Sequence, residues 1–246
     1  MPEETSLSYP VRLNRYLAAC GVAARRKAEA LIAEGRVAVD GIVETSVGRV
    51  LSAPADVRVD GIPVGPARPV YIVMHKPRGV LSAVQDARER TVVDLLPAFY
   101  SSLGVFPVGR LDKESEGLIL LTNDGKFAQE LLHPSFGVRR TYAVVLRWKL
   151  GEDTLARWRE GVIIEQKHAK PLSVRPTDDS QRHFEVVLGE GFKREIRLMA
   201  QALGNRVVRL RRTAIGNLTL KKLPLGTFCE YNLEDIMQMI RCGGEV

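Results

Sequence analysis

The sequence predicts an α+β protein with a small N-terminal domain and a larger C-terminal domain. Apolar residues with helical spacing near the N-terminus are followed by short alternating segments typical of strands. The stretch GPARP at residues 65–69 then interrupts the chain, and we interpret residues 66–69 as a linker. Beyond it, continuous apolar runs typical of buried strands alternate with segments that predict helices. The 246 residues are enough for one large domain and a small one.

The N-terminal domain is predicted to cover residues 11–65, after a flexible segment at residues 1–10. Its first helix is indicated by apolar residues at i, i+3, i+4 and i+7, namely Leu13, Tyr16, Leu17 and Cys20. A second helix is predicted over residues 24–34. The sequences VAVDG and VRVDG, at residues 37–41 and 57–61, each predict a strand that ends in an Asp-Gly turn.

Three cations, Arg25, Arg26 and Lys27, occupy the first turn of the second predicted helix. Positive side chains oppose the helix dipole at this end. The free backbone N–H groups at the same place favour phosphate, so the cluster is either part of an anion site or a tolerated group of exposed charges. The sequence leaves both interpretations open.

The C-terminal domain, residues 70–246, contains the remaining predicted elements. Strands are predicted at residues 70–74, 105–108, 118–121, 139–146, 161–164, 184–188 and 207–212. Helices are predicted at residues 126–132, 152–160, 191–204 and 233–241.

Asp112 lies in the sequence GRLDKESEG, residues 109–117, which has a glycine at each end and joins two segments predicted to be buried. A carboxylate held at the edge of a core is where a nucleophile or a general base would be placed. An aspartate that caps a turn fits the same spacing.

Positive charge is concentrated in residues 191–222. The chain has a net charge of +7. This segment has nine basic residues and one acid, a net charge of +8, so the rest of the chain is close to neutral. Such a stripe is expected where a protein contacts a phosphate backbone, although a solvated surface has the same composition. The candidate contacts in this segment are Lys193, Arg194, Arg209, Arg211 and Arg212.

Several classes of function are disfavoured by the composition. The three cysteines are far apart, which indicates free thiols in a reducing compartment. The histidines lack metal-ligand spacing, and neither a phosphate-binding loop nor a dinucleotide fingerprint is present, so we expect no metal and no cofactor. No apolar run approaches the roughly 20 residues of a membrane span, and the acidic N-terminus is unlike a signal peptide. We therefore expect a cytoplasmic protein that does not contact a membrane.

The sequence GRLD at residues 109–112, followed by EGLILLTNDG at residues 116–125, closely resembles the active-site motif of the pseudouridine synthases. Three other stretches resemble further parts of that family: HKPRG at 75–79, RRTYAVVL at 139–146 and GFKREIRLM at 191–199. Residues 11–65 resemble an S4 RNA-binding domain. The chain is thus similar to the S4-domain-containing ribosomal RNA pseudouridine synthases. It departs from their pattern at three positions, Ala24 for Ser, His75 for Asn and Leu198 for Arg.

The resemblance implies a mixed, mostly antiparallel sheet flanked by helices, and the isomerisation of uridine to pseudouridine in a flipped nucleotide of ribosomal RNA. It implies that Asp112 is the essential carboxylate, as nucleophile or as base, that Arg197 pairs with it, and that Tyr142 contacts the base. Arg110 and Lys113 flank Asp112 and are candidates for holding the RNA backbone. No group is added in this reaction, so no cofactor is needed. The expected partner is ribosomal RNA, free or in assembling subunits, bound by a monomer.

Two other functions fit parts of the sequence. A non-catalytic ribosome-assembly factor would use the S4-like domain and the basic segment to bind RNA, but pure binding needs no carboxylate in a pocket. A glycosidase-like hydrolase would combine Asp112 with Glu114 or Glu116, because glycosidases generally use two carboxyl groups.

Overall fold

Two helices and a four-stranded antiparallel sheet form the N-terminal domain in a computed structural model, which describes residues 7–220 and 222–245. The elements in chain order are β1 (Val11–Arg12), α1 (Leu13–Ala19), α2 (Arg25–Ala33), β2 (Val37–Val39), β3 (Ile42–Glu44), β4 (Val50–Leu51), β5 (Val57–Val59) and β6 (Ile62–Pro63). The sheet order is β3-β2-β5-β6, and β1 pairs separately with β4.

The two Asp-Gly turns fix the register of this sheet. Asp40 and Gly41 have φ of 50° and 80°, and Asp60 and Gly61 have φ of 50° and 79°. Positive φ at both central residues defines the two-residue hairpin turn that suits the twist of antiparallel strands. The two predicted strands that end in Asp-Gly turns are therefore confirmed, and they form the β2–β3 and β5–β6 hairpins.

The N-terminal domain has its own core. Leu13, Leu17 and Ile32 are fully buried in it, and all its buried members lie between residues 11 and 57. Part of the predicted flexible segment, residues 1–6, lies outside the described residues. Leu7 and Tyr9 pack against this core, so the packed chain includes residues before residue 11.

The C-terminal domain is built on one ten-stranded sheet. Its strands are β7 (Tyr71–Lys76), β8 (Phe106–Val108), β9 (Glu116–Thr122), β10 (Arg140–Leu146), β13 (Ser173–Pro176), β14 (His183–Leu188), β15 (Val207–Ile215), β16 (Leu218–Thr219), β17 (Phe228–Tyr231) and β18 (Gly244–Glu245). A separate hairpin consists of β11 (Val162–Ile164) and β12 (Lys167–Ala169). The α-helices are α3 (Ala98–Ser102), α4 (Gly125–Leu132), α5 (Glu152–Glu160), α6 (Glu195–Ala202) and α7 (Leu233–Cys242).

The main path of the sheet runs β13-β14-β10-β15-β9-β7-β17. The pairs β9–β15 and β16–β18 are parallel and the others are antiparallel, which confirms the predicted mixed, mostly antiparallel sheet. Strand β9 is buried over its whole length because the sheet is covered on both faces. Ile119 and Leu121 belong to one core cluster, and Leu118 and Leu120 belong to the other. Burial on both faces explains why β9 is a continuous apolar run, which was predicted to be a buried strand.

Gly117 permits the close parallel pairing of β9 with β15. Its φ is +119°, and a Cβ at this position would lie 2.2 Å from the backbone oxygen of Arg212. No larger residue fits without moving one of the strands. The second glycine of the GRLDKESEG loop is therefore required where the loop enters the sheet.

The segment before α6 differs from the prediction. A helix was expected from residue 191, but α6 begins at Glu195. Arg194 has φ +59°, and the Glu195 carboxylate accepts a hydrogen bond from the backbone N–H of Phe192. Residues 191–194 therefore lie in a tight turn that precedes the helix.

The two domains meet near the linker. A Cβ on Gly104 would lie 3.2 Å from the Cα of Gly21, and the backbone N–H of Ala67 donates to the oxygen of Ala19. The buried members of the two C-terminal clusters all lie at residue 70 or beyond, so neither cluster includes a residue of the N-terminal core.

Deletion of residues 1–65 is expected to leave a folded C-terminal domain, because the hydrophobic cores are separate. The truncated protein should bind RNA more weakly, because Arg25, Arg26 and Lys27 are lost with the S4-like domain. Circular dichroism with thermal unfolding tests the fold, and filter binding tests the affinity. An unfolded or insoluble truncation would contradict the boundary.

Candidate active site

A buried lysine organises the loop that carries Asp112. The Lys76 side chain is fully buried at the end of β7, and its ammonium donates to the backbone oxygens of Pro77 at 3.0 Å, Asp112 at 3.2 Å and Ser115 at 2.8 Å. Burial lowers the pKa of Lys76 to about 8, against the opposing effect of the Asp112 charge. Lys76 lies in the HKPRG stretch but was not among the predicted site residues.

The same loop is held from a second side. The Ser82 hydroxyl donates to the Leu111 oxygen at 2.8 Å and accepts from the Leu111 N–H at 3.0 Å. The Gly79 N–H donates to the Lys113 oxygen at 2.8 Å. All these contacts are to the backbone, so the loop conformation does not depend on the Asp112 carboxylate.

Asp112 is paired with Arg197, as predicted. The Arg197 Nε lies 3.4 Å from Asp112 Oδ2, and Arg194 Nη1 lies 4.0 Å from the same oxygen. The Asp112 side chain is 25% exposed and that of Arg197 is 14% exposed. Burial lowers the pKa of Arg197, and the charge of Asp112 raises it again. Arg197 also donates to the Ser115 hydroxyl at 3.2 Å. The carboxylate is thus reachable from solvent while its cation is fixed behind it.

Tyr142 is buried in β10 and lines a cavity of about 340 Å³ beside the loop. Gly109 and Arg110, which begin the loop, also line this cavity, whereas Asp112 is not among its described lining residues. A planar group in the cavity would thus sit next to the loop rather than on the carboxylate.

Seven of the predicted RNA-contacting cations are exposed. They are Arg25, Arg26, Lys27, Arg110, Lys193, Arg194 and Arg209. Two of the predicted cations have carboxylate partners. Lys113 Nζ lies 2.8 Å from Glu89, and the exposed Arg209 reaches the buried Glu116, with its Nη2 2.6 Å from that carboxylate.

Arg211 and Arg212 were predicted to contact RNA, but neither side chain is exposed. The Arg212 residue is 3% exposed, and Arg211 is partly buried with its Nε covered. Both lie on β15, which is flanked by β10 and β9 in the interior of the sheet. Arg212 therefore cannot contact a phosphate at the surface.

The carboxylates next to Asp112 have partners of their own. Glu116 is buried and paired with Arg209, and Glu114 lies 3.4 Å from Arg78. This arrangement disfavours the hydrolase alternative, which requires a second carboxyl group working with Asp112.

Within the described residues, no three histidine, cysteine, aspartate or glutamate side chains are grouped so as to hold a metal ion. Among the same residues, none of the helices combines the length and the apolar character needed to cross a bilayer.

Comparison with known proteins identifies the family. The model of a family described as RNA pseudouridylate synthase matches residues 70–202, which is more than half of the chain. The chain belongs to the RNA pseudouridine synthases. This synthase also matches the S4 domain over residues 11–57, which confirms the predicted N-terminal domain type. It is accordingly an isomerase with an RNA-binding module.

Several known proteins are similar to this synthase over nearly its whole length. An RNA pseudouridine synthase of Aquifex aeolicus, described as uncharacterized, is 39% identical over 240 residues and covers 95% of both chains. A protein of Bacillus subtilis named ribosomal large subunit pseudouridine synthase B is 34% identical and covers 93% of this chain and 95% of its own. A crystal structure of a pseudouridylate synthase superposes with a TM-score of 0.68 at 25% identity, covering 93% of this synthase and 99% of that chain.

Proposed function

We propose that this synthase converts a specific uridine of ribosomal RNA into pseudouridine, with Asp112 as the essential carboxylate. The observation that carries the proposal is the pairing of a partly exposed Asp112 with a largely buried Arg197, in a loop fixed by Lys76. Ribosomal RNA is the proposed substrate because the chain has an S4 domain and resembles a Bacillus subtilis protein named as a ribosomal large subunit synthase.

In the proposed reaction the N1–C1′ bond breaks, the base turns, and a C5–C1′ bond forms; C5 then loses its proton and N1 gains one. Asp112 acts either as a nucleophile on the nucleotide or as the base that deprotonates the ribose, and both roles use the ionised carboxylate. Arg197 holds that carboxylate toward the ribose. Tyr142 stacks on the base in the cavity, and the buried part of the lining, which includes Leu120 and Ile215, keeps water from that side of the detached base.

The target nucleotide must leave its stack to reach Asp112. Flipping a nucleotide costs a few kcal/mol, which contacts elsewhere on the RNA have to offset. The exposed cations at Arg25, Arg26 and Lys27 and at Lys193 and Arg194 provide such contacts with phosphates. The S4 domain and the catalytic domain would therefore both bind the RNA near the target nucleotide.

Release of tritium from ribosomal RNA labelled at uridine C5 tests the activity of the purified protein. Sequencing of carbodiimide-treated ribosomal RNA from cells with and without the gene then locates the uridine. RNA binding without any tritium release would contradict the proposal and favour the assembly-factor alternative.

Arg197→Met is expected to lose turnover by about 10²-fold, with a smaller effect on RNA affinity, because Arg197 orients the reacting carboxylate. Arg206→Met is the matched control. Arg206 is exposed in the same basic segment, and its loss should weaken binding modestly and lower the salt slope by about one.

Single-turnover rates and salt-dependent binding of both variants give the comparison. Equal losses in the two variants, or an Arg197→Met defect confined to binding, would contradict the role given to the ion pair.

A further inference from the structure

Arg212 is a buried arginine whose hydrogen-bonding capacity is only partly used. Its Nε donates to the Leu118 oxygen at 2.7 Å, which fixes the guanidinium. Its Nη2 is buried and has no hydrogen-bond partner among the described residues. No carboxylate of the described residues lies within 4.0 Å of the guanidinium. A buried donor without a partner costs free energy, so this atom is placed to meet an acceptor that arrives from outside.

The acceptor would arrive in the cavity that Arg212 and Tyr142 both line. The two residues are directly opposite each other in the β10–β15 pair. Aliphatic side chains form the largest group of the lining residues, and Phe192 adds a second aromatic ring. Arg110 and Arg140 share the lining with these side chains, but Arg212 is the buried arginine whose terminal nitrogen has no partner among the described residues, and such a donor beside aromatic rings suits a planar base. A phosphate also stays in the RNA backbone at the surface, where a residue that is 3% exposed cannot reach it.

A second arginine adds positive charge to the cavity and so favours a ligand that accepts hydrogen bonds. Arg140 lines the same cavity, and its two terminal nitrogens donate to the oxygens of Val138 at 3.1 Å and Leu131 at 3.0 Å. Burial lowers the pKa of Arg140, and the charge of Arg212 lowers it further. Glu190 is the single acid of the lining and is exposed. The interior of the cavity is therefore positive and favours an electron-rich edge of a ligand.

We propose that Arg212 Nη2 donates a hydrogen bond to the O4 carbonyl of the flipped uracil and so selects uracil against cytosine. This inference rests on the proposed function and names a specificity-determining residue for it. Uracil presents an acceptor at position 4, whereas cytosine presents an amino group there. The amino group would oppose the Arg212 donor and leave two buried donors facing each other. A site built around a hydrogen bond discriminates strongly against an analogue that cannot form it.

The test combines base analogues with an Arg212 variant. Target RNA is prepared with uridine, 4-thiouridine or 2-thiouridine at the modified position, because sulfur is a weaker acceptor than oxygen. For the wild-type enzyme, 4-thiouridine should weaken binding of the target by about tenfold relative to uridine, while 2-thiouridine should have a much smaller effect. Arg212→Gln should lose about tenfold for uridine and nothing further for 4-thiouridine. Arg206→Gln, on the exposed part of the same segment, should retain the wild-type pattern.

Two outcomes overturn the assignment. The first is an equal effect of the two sulfur substitutions on the wild-type enzyme, which decides the question even if Arg212→Gln fails to fold. The second is a 4-thiouridine penalty that persists in folded Arg212→Gln. Wild-type protein that forms no pseudouridine in unmodified RNA would overturn the proposed function together with this inference. An active wild-type enzyme with either of the first two results overturns the Arg212 role alone.

Discussion

Asp112→Asn is expected to lose turnover by at least about 10²-fold while its fold and its RNA affinity stay close to those of the wild type. The substitution keeps the shape of the side chain and removes its charge. The loop should be preserved because its contacts to Lys76 and Ser82 involve backbone atoms. Single-turnover pseudouridine formation measures the loss, and thermal unfolding with filter binding checks the other two properties.

Glu114→Gln is the matched control for Asp112→Asn. It removes the same charge two residues further along the same loop, from an exposed side chain paired with Arg78. We expect its turnover to remain within a few-fold of the wild type, roughly the effect of losing a surface ion pair. More than about a hundredth of the wild-type turnover in Asp112→Asn would count against an essential carboxylate.

Lys76→Met is expected to have the second large effect, on both stability and activity. The substitution removes the ammonium that the backbone oxygens of Pro77, Asp112, Lys113 and Ser115 share. Unsatisfied buried acceptors should destabilise the fold by about 2 to 4 kcal/mol. The loop then no longer holds Asp112 in place, so turnover should fall by about tenfold or more, since small displacements of reacting groups are costly.

The stability difference between wild type and Lys76→Met should depend on pH. The pKa of Lys76 is lowered from 10.5 to about 8 in the folded protein because the ammonium is buried. Between these two values the unfolded chain binds more protons than the folded protein, so the contribution of Lys76 to stability increases as the pH rises. Urea unfolding at pH 7 and pH 10 should show a larger destabilisation by Lys76→Met at pH 10.

Lys170→Met, which replaces an exposed lysine, provides the control. Its effect on the free energy of unfolding should be within about 0.5 kcal/mol, as for a surface substitution. A Lys76→Met effect of the same size at both pH values would contradict a lysine that loses its proton near pH 8 in the folded state.

The sequence determined the features that depend on local chemistry. The Asp40-Gly41 and Asp60-Gly61 dipeptides specify their hairpins because few residues accept positive φ at two successive positions. Helix α5 has the predicted bounds, Glu152–Glu160, since its apolar contacts recur at helical spacing. The pairing of Asp112 with Arg197 was predicted by the resemblance of GRLD and GFKREIRLM to two motifs of the family, and not by local chemistry.

The tertiary structure decided which charged residues face solvent. Arg209, Arg211 and Arg212 are chemically alike in the sequence, yet Arg209 reaches Glu116 while Arg212 is enclosed in the sheet. Burial of Lys76 likewise depends on oxygens that lie up to 39 residues away along the chain. Local sequence patterns carry no information on such pairings, because they follow from strand order and from the close approach of β9 to β15 at Gly117. The environment of each buried charge is therefore set by the packing of the sheet.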